Sequence, residues 1–252
     1  MQCPGQDSRY WSGDDVFESK CPHCGKVLEF FKDDSKRRCS QCSKMVMNPK
    51  MDFGCAQYCP HAEQCMGSLT PDLAAARNDL FKDKIGKAMR NYFGSDTRRI
   101  NHAEQVALYA ELIGNEEKGD MAVIMAAAYL HDIGIKEAEH KFNSSSAKVQ
   151  HQEGPPVARQ LLTNLKAEET LIEEACDIIG HHHWPRENET VNFKVIYDAD
   201  LIVNLSETYR ENPPTREKVE KVLTGSFLTQ SGRREGEKVL LAFVKTLSST
   251  QL

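Results

Sequence analysis

The sequence predicts a mainly α protein, an all-helical domain preceded by a small, metal-bound, cysteine-rich module. Three observations carry this. Eight of the nine cysteines fall before residue 66. From Pro71 onward the apolar residues recur with helical period and the turn signals are few. Within that second part, ionisable residues occupy positions on core-facing helix stripes that apolar residues normally fill. The expected boundary is at Ser68-Leu69, giving a module of residues 1–68 and a helical domain of 69–252.

In the first segment, Cys21-Pro-His-Cys24 and Cys39-Ser-Gln-Cys42 form two CxxC knuckles. Two such hairpins present four thiolates in a tetrahedron, the closed geometry that structural zinc prefers. Val27-Leu-Glu-Phe-Phe31 between them and Met45-Val-Met47 after them are rich in strand formers, so the layout is that of a zinc ribbon. Cys55, Cys59 and Cys65, completed by Cys3 or by His61, make a second expected thiolate site, holding zinc or, less simply, an iron–sulfur cluster. One or two structural zinc ions are therefore expected. Cys176, on an apolar helix face, reads as an inert core thiol. The ribbon is open to a protein or nucleic-acid partner.

The 252 residues are 40% apolar and 27% charged with a net charge of −5, ordinary values for a soluble globular protein. Residues 1–69 are charge-balanced, so the excess negative charge lies on the helical part. That argues against a strongly electrostatic nucleic-acid footprint. No apolar run approaches membrane-spanning length, and Met1 to Trp11 lack a charged-then-apolar leader. The reading is a cytoplasmic protein with no membrane partner.

In the second segment, Thr70 and Pro71 predict a helix start. Helices are expected near 71–92, 97–113, 119–132, 155–165, 168–183, 193–208, 215–222 and 233–247. Gly114 reads as a helix stop and Pro155-Pro156 as a helix start. Asn143 to Ser146 and Trp184 to Val191 read as loops. His102 opens a stripe continued by Val106, Tyr109 and Ile113, and His131 closes one made by Ile124, Ala127 and Ala128. His182 follows Leu171, Ala175 and Ile178, while Asp200 lies between Ile196 and Val203. Turning an ionisable group into a core costs several kcal/mol unless something compensates it. Four helices sharing that problem share its simplest solution, a metal ion.

These residues resemble the HD-domain metal-dependent phosphohydrolase superfamily. The matching pieces are Arg99-Ile-Asn-His102, Leu130-His-Asp-Ile-Gly134, Ile178-Ile-Gly-His-His182 and Tyr197-Asp-Ala-Asp-Leu201, in the family order. The resemblance implies a metal held by His102, His131, Asp132 and Asp200, with Asp198 orienting a ligand or water. It places a second metal at His181 and His182, of which His182 is the better stripe member. His183 is expected to face solvent or pack on Trp184, and His151 is a lesser ligand candidate. One or two divalent ions are implied, and mixed imidazole–carboxylate ligands suit Mn, Fe, Co, Ni or Zn. Asp132 is expected to bridge and to act in catalysis, Arg99 and Lys136 to neutralise substrate phosphate, and Glu137 to supply a proton. The chain departs from the pattern in having Ile135 where some members carry a general acid. It also reads Trp184-Pro185 where cyclic-di-nucleotide phosphodiesterases continue with Gly-Tyr-Pro.

The implied function is hydrolysis of a small phosphorylated substrate, a nucleotide or related phosphoester, by metal-activated water. The alternatives are a di-iron oxygenase of the same superfamily and a non-enzymatic sensor with a partner-binding ribbon.

Overall fold

The computed structural model describes residues 16–31, 34, 36–49, 71–144 and 146–244, and of 71–77 the backbone alone. Cys3, Cys55, Cys59, Cys65, His61 and the expected cap Thr70 lie outside these residues. The chain divides into two units, Met1–Leu80 and Phe81–Leu252.

The first unit contains two antiparallel hairpins. β1 (Val16–Lys20) pairs with β2 (Val27–Phe31), and β3 (Lys36–Arg38) pairs with β4 (Met45–Met47). One knuckle fills each connection, and the two are built alike. Cys21 N–H donates to the Lys26 carbonyl and Gly25 N–H to that of Cys21; Cys39 N–H donates to Lys44 and Ser43 N–H to Cys39. The residue after each second cysteine turns left-handed, Gly25 at φ 75° and Ser43 at φ 57°. Leu28, Phe30 and Val46 form a core with Cys21 and Cys39, too small to carry a fold without a staple. The structure adds β1 and β3 to the two strands expected.

The second unit is helical: α1 (Pro71–Phe93), α2 (Thr97–Glu117), α3 (Met121–Leu130), α4 (Ile135–Phe142), α5 (Ala147–Asn164), α6 (Glu169–Ile179), α7 (Val191–Glu211), α8 (Arg216–Gly225) and α9 (Gln230–Leu240), closed by a 3₁₀ turn at Leu241–Phe243. Five of these helices start on a side chain that accepts from first-turn N–H groups: Asp96, Asp120, Thr190, Thr215 and Thr229. One core joins α2, α3 and α7 through Val106, Ala110, Ile113, Ile124, Ile196 and Val203. Another joins α1, α3, α5 and α6 through Ile85, Met89, Leu130, Leu162 and Ile179. α3 belongs to both, which explains why its Val123–Ala128 stretch is buried all round.

Several boundaries differ from the expectations. Gly114 does not end α2, which runs to Glu117 and is capped by Lys118 at φ 57°. The glycine is there for space: a Cβ would sit 2.8 Å from Ile124 Cδ1 of α3. Pro155-Pro156 does not start a helix but lies inside α5. α5 passes through two residues that lack the N–H of the helical ladder because tertiary contacts hold the segment. Cys176 Sγ donates to the Pro155 carbonyl, and Gly154 packs on Ile179. α6 ends at Ile179, so His181 to His183 lie in turns beyond it. α4 was not expected at all.

Gly134 sets the distance between α5 and the turn after Asp132. A Cβ there would lie 2.3 Å from the Gln150 carbonyl and 2.5 Å from Gly154 N. Both obstacles are backbone, so Gly134→Ala must push α5 away. Its φ of −72° suits alanine, so the damage is steric alone. We expect Gly134→Ala to cost about 3 kcal/mol or more by denaturant unfolding. Gly225→Ala, with nothing within 4 Å, should be neutral or slightly stabilising. Equal effects at the two sites would remove the close approach as the cause.

Candidate metal centre

Two clusters of ligand-type side chains stand in the described residues. In the first unit, Cys21 and Cys42 sulfurs lie 3.7 Å apart and those of Cys24 and Cys39 3.5 Å. Zinc–thiolate bonds of about 2.3 Å in a tetrahedron put sulfurs ~3.8 Å apart, so the four residues fit zinc. All four are free thiols, with no disulfide among them.

The second cluster is assembled from five elements of the helical unit. His102 projects from α2, His131 and Asp132 from the end of α3, His151 from α5, His182 and His183 from the turn after α6, and Asp200 from α7. Three overlapping groups bring ligand atoms within 4.8 Å of one another: His102, His131 and Asp200; His131, Asp132 and His182; His151, His182 and His183.

Helix ends aim these rings. The last carbonyls of a helix lack an internal partner. His131 Nδ1 bonds the Ala128 carbonyl at 2.8 Å and His182 Nδ1 bonds that of Ile179 at 3.1 Å. Each bond satisfies a last-turn carbonyl, fixes the ring and turns Nε2 inward with its lone pair free. Both Nε2 atoms, and Nδ1 of His151, are buried with no hydrogen-bond partner. A buried polar atom without a partner is costly, and such atoms on rings grouped with other ligand-type side chains are what cations would satisfy. The donor set fits a divalent metal.

Asp132 shows its two oxygens to different neighbours. Oδ2 lies 3.5 Å from His131 Nε2 and 3.9 Å from His102 Nε2, while Oδ1 lies 3.7 Å from His182 Nε2. The Gln150 side-chain amide also donates to Oδ1. Asp200 Oδ1 lies 3.2 Å from His102 Nε2 and 3.6 Å from His131, and its Oδ2 lies 3.6 Å from His183. Asp200 and Glu207, two turns apart on α7, flank the His102 ring, with Glu207 Oε1 at 3.1 Å from Nδ1. That leaves His102 Nε2 for the centre.

Charge divides the cluster into halves. Burial opposes a charge on His131, yet the Asp132 and Asp200 carboxylates outweigh it and raise its pKa to about 9. His102 is raised the same way by Asp200, against its own burial. Asp132 is held well below the carboxylate range by His131 despite burial, and Asp200 is lowered chiefly by its His102 bond, also against burial. In the other half, burial and then the neighbouring imidazoles depress His151 to about 3, and burial with His182 depresses His183 to about 4. One half carries carboxylates and protons; in the other, His151 and His183 are kept neutral.

Other expected residues are placed elsewhere. His181 is not brought to the cluster: its Nδ1 bonds the Asp177 carbonyl at 2.6 Å, its Nε2 bonds Glu189 at 3.0 Å, and its ring stacks on Phe193. His183, expected to face solvent or pack on Trp184, does stand edge-on to that ring at 6.5 Å, but its Nδ1 also lies 3.1 Å from His151 Nε2, within the cluster. Asp198 orients no ligand. It accepts from the N–H groups of Leu228 and Thr229 and from the Thr229 hydroxyl, tying α7 to the start of α9. Arg99 is paired with Asp96 and Glu139. Lys136 donates to the Tyr92 carbonyl and sits over that ring, and Glu137 faces the Tyr92 hydroxyl and Lys141. None of the three is free for a substrate phosphate or proton in this arrangement.

Sequence reasoning undervalued His151 because it placed residues 143–154 outside a helix. With α5 starting at Ala147, His151, Gly154, Ala158 and Leu162 form one buried stripe, and that period was the available signal. Gln150 and Glu207 were missed; Glu207 stands seven residues after Asp200, on the same helix face.

Residues 99–221 match the family model described as the HD domain. A solved structure described as a predicted HD superfamily hydrolase from an uncultured Thermotogales bacterium is similar at 21% identity, covering 64% of this chain and 85% of that one, with a TM-score of 0.48. No curated protein matches.

Two outcomes follow from this geometry. A cation at His102, His131, Asp132 and Asp200 competes with the His131 proton, so affinity there should climb with pH to about 9 and level off above. A cation at the other end meets His151 and His183, two rings already neutral above about pH 4, and should release fewer protons. Calorimetry at pH 7 in buffers of different ionisation enthalpy counts those protons; two steps with equal release would contradict the division. Glu207→Gln should weaken the first of these bindings about tenfold, read by manganese titration, with melting temperature little changed.

Proposed function

We propose that the protein, whose residues 99–221 match the HD domain family model, is a metal-dependent phosphohydrolase acting on small phosphomonoesters of the nucleotide type. The observation that carries the reading is the set of three buried imidazole nitrogens without partners, enclosed by Asp132 and Asp200. His102, His131, Asp132 and Asp200 would hold one divalent ion, and His151, His182 and His183 a second, with Asp132 between them. Bound there with an open position, such an ion lowers the pKa of a coordinated water towards neutrality and polarises a phosphoryl oxygen.

The chain's own residues do the rest. The Ala128 and Ile179 carbonyls fix two imidazoles before any ligand arrives, so little reorganisation is needed. Glu207 holds His102 in one tautomer. Asp132, its carboxylate kept ionised by His131, is suited to hold a cation rather than to accept a proton. The Gln150 amide steadies that carboxylate from the α5 side. No described helix is long and apolar enough to cross a membrane. We place the four ribbon cysteines outside the chemistry, as a structural zinc site.

The test uses two variants and two readouts. His131→Ala and Asp132→Ala should each bring phosphomonoester turnover with Mn, Co, Ni or Fe down to background. Elemental analysis should show the helical-unit metal lost and the thiolate-bound zinc kept. Turnover that survives either change would exclude this centre as its source.

A further inference from the structure

Exposure shows where the centre opens. The side chains of His131 and His182 are wholly buried, Asp200 is 7% exposed and His102 11%. Asp132 reaches 21% and His183 33%. The mouth therefore lies on the His183 side, and the next residue is Trp184. Its ring stands 4.6 Å from that of His151 and 6.5 Å from that of His183, nearly perpendicular to both. It is nevertheless 54% exposed, so much of the indole faces solvent at the rim of the cluster.

The backbone that carries the indole is held in place. The Trp184 backbone N–H donates to the His181 carbonyl at 2.7 Å, and Pro185 restricts the backbone that follows. Glu189 then closes the loop by accepting from Arg186 N–H at 2.7 Å and His181 Nε2 at 3.0 Å. This gives His181 its role as an anchor of the loop. A large aromatic surface that is exposed, carried on a fixed backbone and set beside ligand-type residues marks a binding contact. The cations expected to grip a substrate are absorbed by other contacts: Arg99 and Lys136 as described, and Arg186 in a two-point pair with Asp177. What the rim offers a substrate is a π-face.

We propose that Trp184 is a stacking surface for the base of a nucleoside monophosphate whose phosphate lies at the histidine–aspartate centre. The inference rests on the phosphohydrolase reading and narrows it. One imidazole separates the indole from the ligand nitrogens, a span on the scale of the ribose between a base and its 5′-phosphate. A mononucleotide fits better than a polymer, because Arg186, the nearest cation along the loop, is neutralised by Asp177. Stacking on an aromatic ring tolerates any base, so discrimination is for an aromatic group over none rather than among bases.

Trp184→Ala and Trp184→Phe are assayed on a nucleoside 5′-monophosphate and on glycerol phosphate, the same ester without a ring. Trp184→Ala should raise KM for the nucleotide about tenfold or more, with kcat within a few-fold and glycerol phosphate unaffected. Trp184→Phe should keep most of the affinity. Equal loss on both substrates, or loss of bound metal, would make Trp184 a wall of the centre and overturn the proposal. A second readout needs no turnover. The chain has two tryptophans, Trp11 and Trp184, so in Trp11→Phe all indole fluorescence comes from Trp184. In the metal-loaded protein it should be quenched by the nucleoside monophosphate and not by ribose 5-phosphate. Absence of quenching overturns the stacking; quenching without hydrolysis of any phosphomonoester keeps it and removes the hydrolase reading instead.

Discussion

The bond on which the helical unit's centre depends is a modest one, an imidazole Nδ1–H to a carbonyl of the last helical turn. It occurs at His131 and again at His182, and it solves two problems together. A helix end buried among other helices leaves carbonyls that need donors, and a buried imidazole needs its tautomer fixed. Once Nδ1 is committed, Nε2 carries the lone pair and can only face the interior. The unsatisfied state of these nitrogens is thus imposed by the helix ends, and each such atom is worth roughly 1–3 kcal/mol if left unpaired. A fold that keeps three of them together in one place spends stability on chemistry.

The second requirement is closeness of backbone. α5 approaches the turn after Asp132 so tightly that no side chain fits at position 134, and Gly154 lets the same helix settle on Ile179. That contact brings His151 beside the rings of His182 and His183 and Gln150 against Asp132. It also explains how α5 tolerates Pro155-Pro156: the helix is retained by what it touches rather than by its ladder. The metal-facing side of α5 and its irregular interior are consequences of one packing decision.

These features differ in how far the sequence declares them. The first and last ligands were legible because each sits on a long amphipathic helix, where the 3.6 period separates inward from outward residues without ambiguity. The thiolate knuckles were legible from spacing alone, with the strand that follows each, whereas β1 and β3 were not. The His181-His182-His183 run was not, since α6 stops at Ile179 and helical phase no longer applies to residues in a turn. There the decision between rings belongs to partners remote in sequence, Glu189 and Phe193 for His181, His151 and Asp200 for His183. His151 was hidden by the proline pair, whose ordinary meaning as a helix start concealed a stripe running through it. Gly114 was misread for a similar reason: its flexibility was taken as the point, when the missing side chain was. Asp198 was read as serving a ligand because it neighbours one in the motif. Helical geometry turns it towards α9 instead, where Gly232 leaves room for its carboxylate: a Cβ there would stand 2.2 Å from Oδ2.

The basic residues give the remaining lesson, about where attraction for an anionic substrate comes from. Arg99 and Arg186 each end in an ion pair, and such pairs near a surface contribute little to stability, about 0–1 kcal/mol. Their effect is to offset positive charge locally, while Lys136 is turned onto the Tyr92 carbonyl and ring. On the proposed reading, two divalent ions would outweigh the carboxylates of Asp132 and Asp200, and affinity for an anionic substrate would be conditional on those metals. The rim would then have only to supply shape, which an indole does without charge. Recognition of the phosphate and of the remainder of the substrate would thereby fall to different parts of the protein, the first to the clustered residues on the helices, the second to the loop that follows α6.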